Sequence, residues 1–225
     1  LLGVGLIGRL SNAGLVLPGD IYTGTAERRS WTLADGSQLD LNARSAVTPY
    51  LDERQRRLRL RHGELLITVA QDLHRPFQIE TGQGWIQASA GKLLVREEAQ
   101  GVRLATLDAV AQLSPRGGST YSIEPRKSVL FDRRGVLVSD PVRAEQTAWL
   151  DGWLEVHNQP LAWVIEAIRP YRRGILRLDP VAGDVRVNGR YPLDDSQQTL
   201  ELLENSLPIS IARHSEYWVS ITLKG

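Results

Sequence analysis

The residues able to do chemistry in this 225-residue chain are few and scattered. Four histidines stand at His62, His74, His157 and His214. No two are four residues apart, the helical spacing that aims both imidazoles at one metal, and no HExxH occurs. Each lies beside turn residues or in a polar stretch and reads as a solvated surface histidine. The chain has no cysteine, which excludes a thiolate zinc site, a thiol nucleophile and a disulfide scaffold. GxSxG is missing, and the one SxxK spacing, Ser89-Ala90-Gly91-Lys92, stands without the SDN and KTG motifs that accompany it in serine acyl-transfer enzymes, so nothing anchors a serine nucleophile. There is no Walker A loop. GVGLIG at Gly3–Gly8 contains GxGxxG, but without a preceding strand or a ribose-binding acid about 20 residues on it carries no weight. Asp194-Asp195 is a candidate carboxylate pair. It stands directly before a helical pattern, where capping and the helix dipole explain it better than acid–base work. The densest basic run is Arg54, Arg56, Arg57, Arg59 and Arg61. In a strand, Arg57, Arg59 and Arg61 share one face, with Leu58 and Leu60 on the other. That is a solvated face, or else a docking surface for an acidic partner. Trp163 to Tyr171-Arg172-Arg173 is too small an aromatic–basic cluster for a single-strand nucleic-acid platform. Catalysis, metal and cofactor are therefore not expected, and a net charge of +1 provides no field for nucleic acid or anionic membrane.

The elements around these residues are short. From Thr23 to about Ser139 the chain alternates polar and apolar in brief runs with turn punctuation. Arg29–Leu33 and Gln38–Asn42 flank Asp35-Gly36, a strong hairpin signal. Arg57–Arg61 alternates strictly before His62-Gly63 and Glu64–Val69, and many similar runs follow. No helical period appears. A dozen or so short strands mean an all-β sandwich, roll or short solenoid.

The pattern changes near residue 140. Asp140-Pro141 reads as a turn opener and Val142–Leu150 as a short helix carrying Trp149. Trp153–Val156 is a strand. Asn158 is the expected cap of a helix with Pro160 in its first turn, and Leu161, Val164, Ile165 and Ile168 form its apolar face. Leu154, Leu161, Ile168 and Ile175 are seven apart, but Pro160, Pro170 and Gly174 forbid a continuous coiled coil. All four read as core of one β-α-β unit. Ile175–Leu178 and Asp184–Tyr191 are strands. Asp194-Asp195-Ser196 caps a helix from about Gln197 to Asn205 with Leu200, Leu202, Leu203 and Leu207 available to its buried side. Leu207–Ala212 and Tyr217–Leu223 close as strands. The expected order is β-α-β then β-α-β-β, two pseudo-repeated units of about 35 residues that each bury a helix on a small sheet. Ahead of all this, Leu1–Gly8 is an uncharged apolar run. Eight helical residues span about 12 Å, and a bilayer core needs about 20 residues. The run reads as the end of a transmembrane helix or as a buried element of a soluble domain. The missing initiator methionine favours the first, and Ser11 to Asp20 reads as a linker.

A dozen fragments in consistent order resemble the FecR family. They include Ala26-Glu27-Arg28-Arg29, Leu33–Ser37, Leu41-Asn42 with Ser45-Ala46, Arg57–Leu60 with Gly63-Glu64, Val69–Asp72 and Arg75-Pro76-Phe77. Later come Ala148-Trp149, Gly152, Asn158–Leu161, Tyr171, Val187-Asn188-Gly189, Pro192–Asp195 and Leu207-Pro208. The resemblance spans about residues 20–225. It implies a mainly β chain with three parts. Residues 1–19 are the end of a transmembrane helix and a linker. Residues 20–141 are an all-β juxtamembrane domain. Residues 142–225 are a small α+β domain similar to the secretin and TonB N-terminal short (STN) fold.

That resemblance further implies a single-pass inner-membrane anti-sigma regulator whose periplasmic part binds the N-terminal signalling domain of a TonB-dependent outer-membrane receptor. The signal, usually a ferric siderophore or haem, ends in release of an extracytoplasmic-function sigma factor held by a cytoplasmic region. The absent cysteine suits an oxidising periplasm. The expected mode is strand addition, with contacts at Arg186, Arg190 and Tyr191 on one strand and Tyr217, Trp218, Val219 and Ile221 on the last. Alternation makes one of Tyr217 and Trp218 a core residue. A structural module of secretin type is the rival reading. Many family members carry Leu-Gly-Thr-Xaa-Phe where this chain has Ser89-Ala90-Gly91-Lys92-Leu93. Self-cleavage reported in some relatives needs the threonine hydroxyl, so no cleavage is expected at Ala90-Gly91.

Overall fold

Alternation from residue 19 to about 120 does what period-2 patterning demands, with one face of most strands inward. A computed structural model describes residues 19–224. The Leu1–Gly8 run, its GxGxxG match and the linker up to Pro18 lie outside the described residues. Among the described residues no helix is long and apolar enough to cross a membrane.

Fourteen strands come first: β1 (Ile21–Tyr22), β2 (Arg29–Thr32), β3 (Gln38–Leu41), β4 (Ala46–Leu51), β5 (Arg56–His62), β6 (Glu64–Val69) and β7 (Phe77–Glu80). Then follow β8 (Gly84–Ala88), β9 (Gly91–Glu98), β10 (Gly101–Thr106), β11 (Ala111–Pro115), β12 (Tyr121–Ile123), β13 (Lys127–Phe131) and β14 (Val136–Pro141). They make two seven-stranded sheets, ordered β1-β4-β5-β7-β8-β11-β12 and β14-β13-β10-β9-β6-β3-β2. One apolar core, with Leu39, Leu58, Phe77, Ile86, Leu104 and Phe131 among its fully buried members, draws on both sheets. This is a sandwich, and the chain as a whole is mainly β. Within β5 the inward positions are Arg56, Leu58 and Leu60; Arg59 is exposed. Arg56 is thus no part of the solvated face. It is buried against Asp35, Nε to Oδ2 at 2.7 Å.

Pro141 does not open a turn. It ends β14 opposite Lys127, at a sheet edge where a residue without an N–H is tolerated. A 3-10 helix, Ala144–Asp151, follows and buries Trp149. The remaining elements are β15 (Trp153–Pro160), α1 (Leu161–Ile168), a 3-10 turn (Arg169–Tyr171), β16 (Ile175–Leu178), α2 (Pro180–Gly183), β17 (Arg186–Pro192), α3 (Ser196–Ser206), β18 (Ile209–Ser215) and β19 (Trp218–Leu223). Leu161, Val164, Ile165 and Ile168, the apolar face of α1, are at most 1 % exposed, each worth about 1.5–3 kcal/mol of burial. Asp195 caps α3, accepting from the Gln198 N–H at 2.9 Å.

Four expectations need correction here. Asn158 does not cap α1. It lies within β15 at φ 50°, where the register with β17 shifts, and Pro160 precedes the helix. The β-α-β then β-α-β-β order is present, but the two units do not each keep their own small sheet, because the strands interleave: β15 pairs with β17, and β16 with β19. The short helix α2 after Pro180 left no periodic signal. Leu202 is 41 % exposed and Ile175 63 %, so neither belongs to the core. The second core recruits Ala43 and Leu66 from the sandwich, so the helices rest on the outer face of its second sheet.

Candidate functional site

The last strands form a three-stranded sheet, β16-β19-β18, with β16 parallel and β18 antiparallel to β19. Its inner face is Leu176, Ile209, Ile211, Val219 and Ile221, all buried. Its outer face is open. Ile175 lies beside Trp218 in the parallel register, and the two are 63 % and 45 % exposed. The His214 ring packs on Trp218 at 4.3 Å between centroids, and its Nε2 is 2.8 Å from the Ser220 hydroxyl. Tyr217, 58 % exposed, stands in the β18–β19 turn. Gly174 holds the rim together. At φ +92° a Cβ there would meet the Tyr217 carbonyl oxygen at 2.2 Å, so only glycine lets Ile175 N–H reach that carbonyl at 2.7 Å. Exposed aromatic and aliphatic side chains gathered on one sheet face are the composition of an interface centre.

Of the seven expected contact residues, the sheet brings Tyr217 and Trp218 together on this rim. Neither is core: Tyr217 precedes the strand, so alternation does not govern it. Val219 and Ile221 are fully buried and β19 is the central strand. Their side chains cannot touch a partner and their backbone is already paired on both sides. Arg186 and Arg190 lie apart from them on β17. Arg190 stacks on Trp153 at 4.2 Å and pairs with Glu155 at 3.4 Å. Arg186 donates to the Asn158 carbonyl at 3.1 Å. Tyr191 is buried, its hydroxyl donating to the Asn188 carbonyl at 3.1 Å. Sequence reasoning missed Ile175 and His214. The parallel β16–β19 pairing, which no local pattern encodes, puts Ile175 beside Trp218, and the bulged end of the β18–β19 hairpin brings His214 there.

Behind this face lies a polar seam with the sandwich. Tyr171 O–H donates to Asn42 Oδ1, and Asn42 Nδ2 donates to Glu64 Oε2 at 2.7 Å. Arg28 lies 5.6 Å over the Tyr171 ring and pairs with Asp194 at 2.9 Å. The Ala26 N–H donates to the Pro170 carbonyl at 3.1 Å. Arg44 donates to the Arg172 carbonyl at 3.1 Å, and Arg172 to that of Glu216 at 3.3 Å. The seam therefore runs directly into the turn that carries Tyr217. Burial pushes the Tyr171 phenol up, so it stays protonated as a donor. Burial also pushes the Glu64 carboxyl up, against Arg96 and the Asn42 hydrogen bond, and Glu98 adds like charge. Arg96 stands 4.0 Å from Glu64 Oε1.

Glu64 is thus favoured when neutral. Its contribution to stability is whole below the unfolded carboxyl pKa of about 4.3 and is lost as pH rises through the higher folded value. Thermal melts across pH 4 to 8, taken as orders of the titration range, should show wild type losing ground to Glu64→Gln as pH rises. Parallel curves would contradict the assignment.

Among the described residues no group of three or more His, Asp or Glu side chains converges as a metal site.

Residues 19–112 match the model of the FecR protein family. Two crystal structures of a candidate anti-sigma factor from Parabacteroides distasonis ATCC 8503 are similar in fold. The one at 2.50 Å resolution has a TM-score of 0.79 and 21 % identity, covering 92 % of this chain and 99 % of that one. The one at 1.65 Å has the same score and coverage at 19 % identity. No curated protein matches.

Proposed function

Since residues 19–112 form a FecR-family domain, we propose that this chain is the signal-receiving region of a membrane-anchored anti-sigma regulator, and that it works by binding alone. In this reading the region lies in the periplasm, in series with a single membrane helix. Its STN-like α+β part receives the N-terminal signalling domain of a TonB-dependent receptor for iron or haem. A cytoplasmic region then releases an extracytoplasmic-function sigma factor. The observation that carries the reading is the open face of Ile175, His214, Tyr217 and Trp218 on a sheet whose other face is core. Among the described residues no further strand pairs with the outer edges of β16 and β18, which flank it; the Ile211 N–H of β18 is taken by Glu204 Oε1 at 2.7 Å, so β16 is the freer edge for an added strand. Arg186 and Arg190 on β17 are secondary contacts at most, since Arg190 is engaged with Trp153 and Glu155.

The test uses the full-length protein and a sigma-dependent reporter. Ile175→Glu with Trp218→Glu should cut inducer-dependent output at least about tenfold, the scale of losing one buried interface anchor, with protein level unchanged. Normal induction by a folded double variant would refute the assignment of this face.

Gly91 adds a second expectation. It has φ +96°, and a Cβ there would stand 2.9 Å from the Ala109 Cα and from Asp108 Oδ1. A threonine has neither the backbone conformation nor the room, and glycine has no hydroxyl with which to attack the Ala90 carbonyl. The protein should run as a single species in a denaturing gel. Two fragments split near residue 90 would show that cleavage proceeds without the hydroxyl.

A further inference from the structure

Alternation sorts the β16-β19-β18 sheet into a buried face and an outward one. Beyond the rim of Ile175 and Trp218, the outward positions are Arg177 on β16, Ser220 and Thr222 on β19, and Ser210, Ala212 and His214 on β18. In register, Arg177 is opposite Ser220 and Ser220 is opposite Ala212. Neighbouring strands lie about 4.8 Å apart, so Arg177 flanks the Ser220 hydroxyl on one side. His214 flanks it on the other, with Nε2 2.8 Å from that hydroxyl and the ring packed on Trp218. With Nε2 protonated, His214 donates to the Ser220 oxygen and leaves the Ser220 O–H free to donate outward. The small side chains of Ala212 and Ser210 keep the floor beside these groups low.

No outward position of the three strands carries a carboxylate. Arg177 is exposed, and its guanidinium has no ion-pair or hydrogen-bond partner among the described residues. The acids nearest along the chain are Asp179 and Glu216. Asp179 lies past the end of β16, where its carboxylate caps α2 by accepting from the Val181 N–H at 2.9 Å. Glu216 lies in the β18–β19 turn, at the end of the face where Arg172 and Arg173 precede β16. Glu204 on α3 is matched by Arg213 at 3.6 Å. With every one of these groups counted as charged and that pair cancelling, Arg172, Arg173 and Arg177 stand against Asp179 and Glu216. The excess is one positive charge, and Arg177 alone carries it onto the open face.

We propose that Arg177, Ser220 and His214 form a carboxylate-recognition site, in which an Asp or Glu side chain of the signalling partner anchors beside the apolar contact on Ile175 and Trp218. This rests on the reading of that face as the docking surface and adds to it the chemistry of the partner. The Arg177 guanidinium meets the carboxylate with two parallel N–H donors, the Ser220 O–H gives a third hydrogen bond, and His214 holds the serine oxygen in place. Ile175 and Arg177 are two residues apart on one strand, about 6.6 Å. An extended partner segment therefore meets them with an apolar residue and an acid at the same two-residue spacing. A basic residue at the acid's position meets like charge and is rejected.

The test titrates the purified signalling domain of the receptor served by the full-length protein into this chain. Wild-type affinity should fall as salt rises from about 0.05 to 0.5 M. Arg177→Gln should weaken binding at least about tenfold at low salt, the scale of removing one partner of an interface charge pair, and should flatten the salt dependence. Arg177→Lys should recover part of the loss, since it keeps the charge without the planar fork. Arg177 is exposed, so both variants should fold as wild type does. Changing the partner's acids to amides one at a time should find a position at which Arg177→Gln costs nothing further. Trp218→Glu separates the two claims. If it weakens binding while Arg177→Gln binds as wild type does, the carboxylate site is overturned and the docking face stands. If both bind as wild type does, both fall. A scan in which no acid of the partner couples to Arg177 would also overturn the site.

Discussion

Arg56→Met is expected to destabilise the protein by about 3–5 kcal/mol, the scale of breaking a buried ion pair by removing one partner. The Arg56 residue is 2 % exposed. Its Nε meets Asp35 at 2.7 Å, Nη1 donates to the Arg75 carbonyl at 3.0 Å and Nη2 to that of Ala70 at 2.6 Å. One guanidinium thus ties the β2–β3 turn, the start of β5 and the chain leading into β7. Burial alone would raise the Asp35 carboxyl, but hydrogen bonds from Ser37 and Arg56 outweigh it and hold that carboxyl below its ordinary value. Without Arg56 the ion pair is lost and the nearly buried carboxylate keeps only its Ser37 hydrogen bonds. For a chain of this size the melting temperature should fall by about 6–20 °C. Arg59→Met, on the same strand but exposed, should change stability by less than about 0.5 kcal/mol. Equal effects at the two positions would show that the buried pair contributes nothing special.

Asn42→Leu should cost at least about 3 kcal/mol, because the Tyr171 phenol, the Glu64 carboxyl and the Ala43 N–H all lose their partner at once, each worth about 1–3 kcal/mol. Asn42 accepts from Tyr171 and donates to Glu64, so its loss orphans a phenol from one half of the molecule and a carboxyl from the other. The damage should be local first. Hydrogen exchange at residues 171–175 and 216–218 should accelerate, since Arg172 and Gly174 join the seam to the Tyr217 turn. Tyr171→Phe with Glu64→Gln in the Asn42→Leu background should recover part of the loss, the pattern expected of coupled neighbours. Strictly additive losses would contradict the network.

The sandwich was largely legible in the sequence because its strands are amphipathic and its turns local. Alternation in Gln38–Leu41 and Arg57–Leu60 marks the inward faces, and Asp35-Gly36 marks the first hairpin. Strand order was not legible. The β5–β7 and β16–β19 pairs are parallel and join distant segments, and no local signal states which strands will meet. The same gap hid the candidate site. Ile175 belongs to a seven-residue apolar series with Leu154, Leu161 and Ile168, yet it alone is on the open face. Val219 and Ile221 alternate correctly but toward the core. Arg56 looked like its neighbours in an arginine run. Only parity counted from Leu58 and Leu60 would have placed it inside, opposite the Asp35 of the preceding turn.

The central claim is that the open face around Ile175 and Trp218 is where the signalling partner docks. Its most direct test is calorimetric titration of this chain with the purified N-terminal signalling domain of the receptor whose response depends on the full-length protein. Wild type should bind with one-to-one stoichiometry. Ile175→Glu and Trp218→Glu should each weaken binding at least about tenfold, whereas Arg59→Glu on the far sheet should leave it unchanged. Undiminished affinity in folded Ile175→Glu and Trp218→Glu variants would contradict the account.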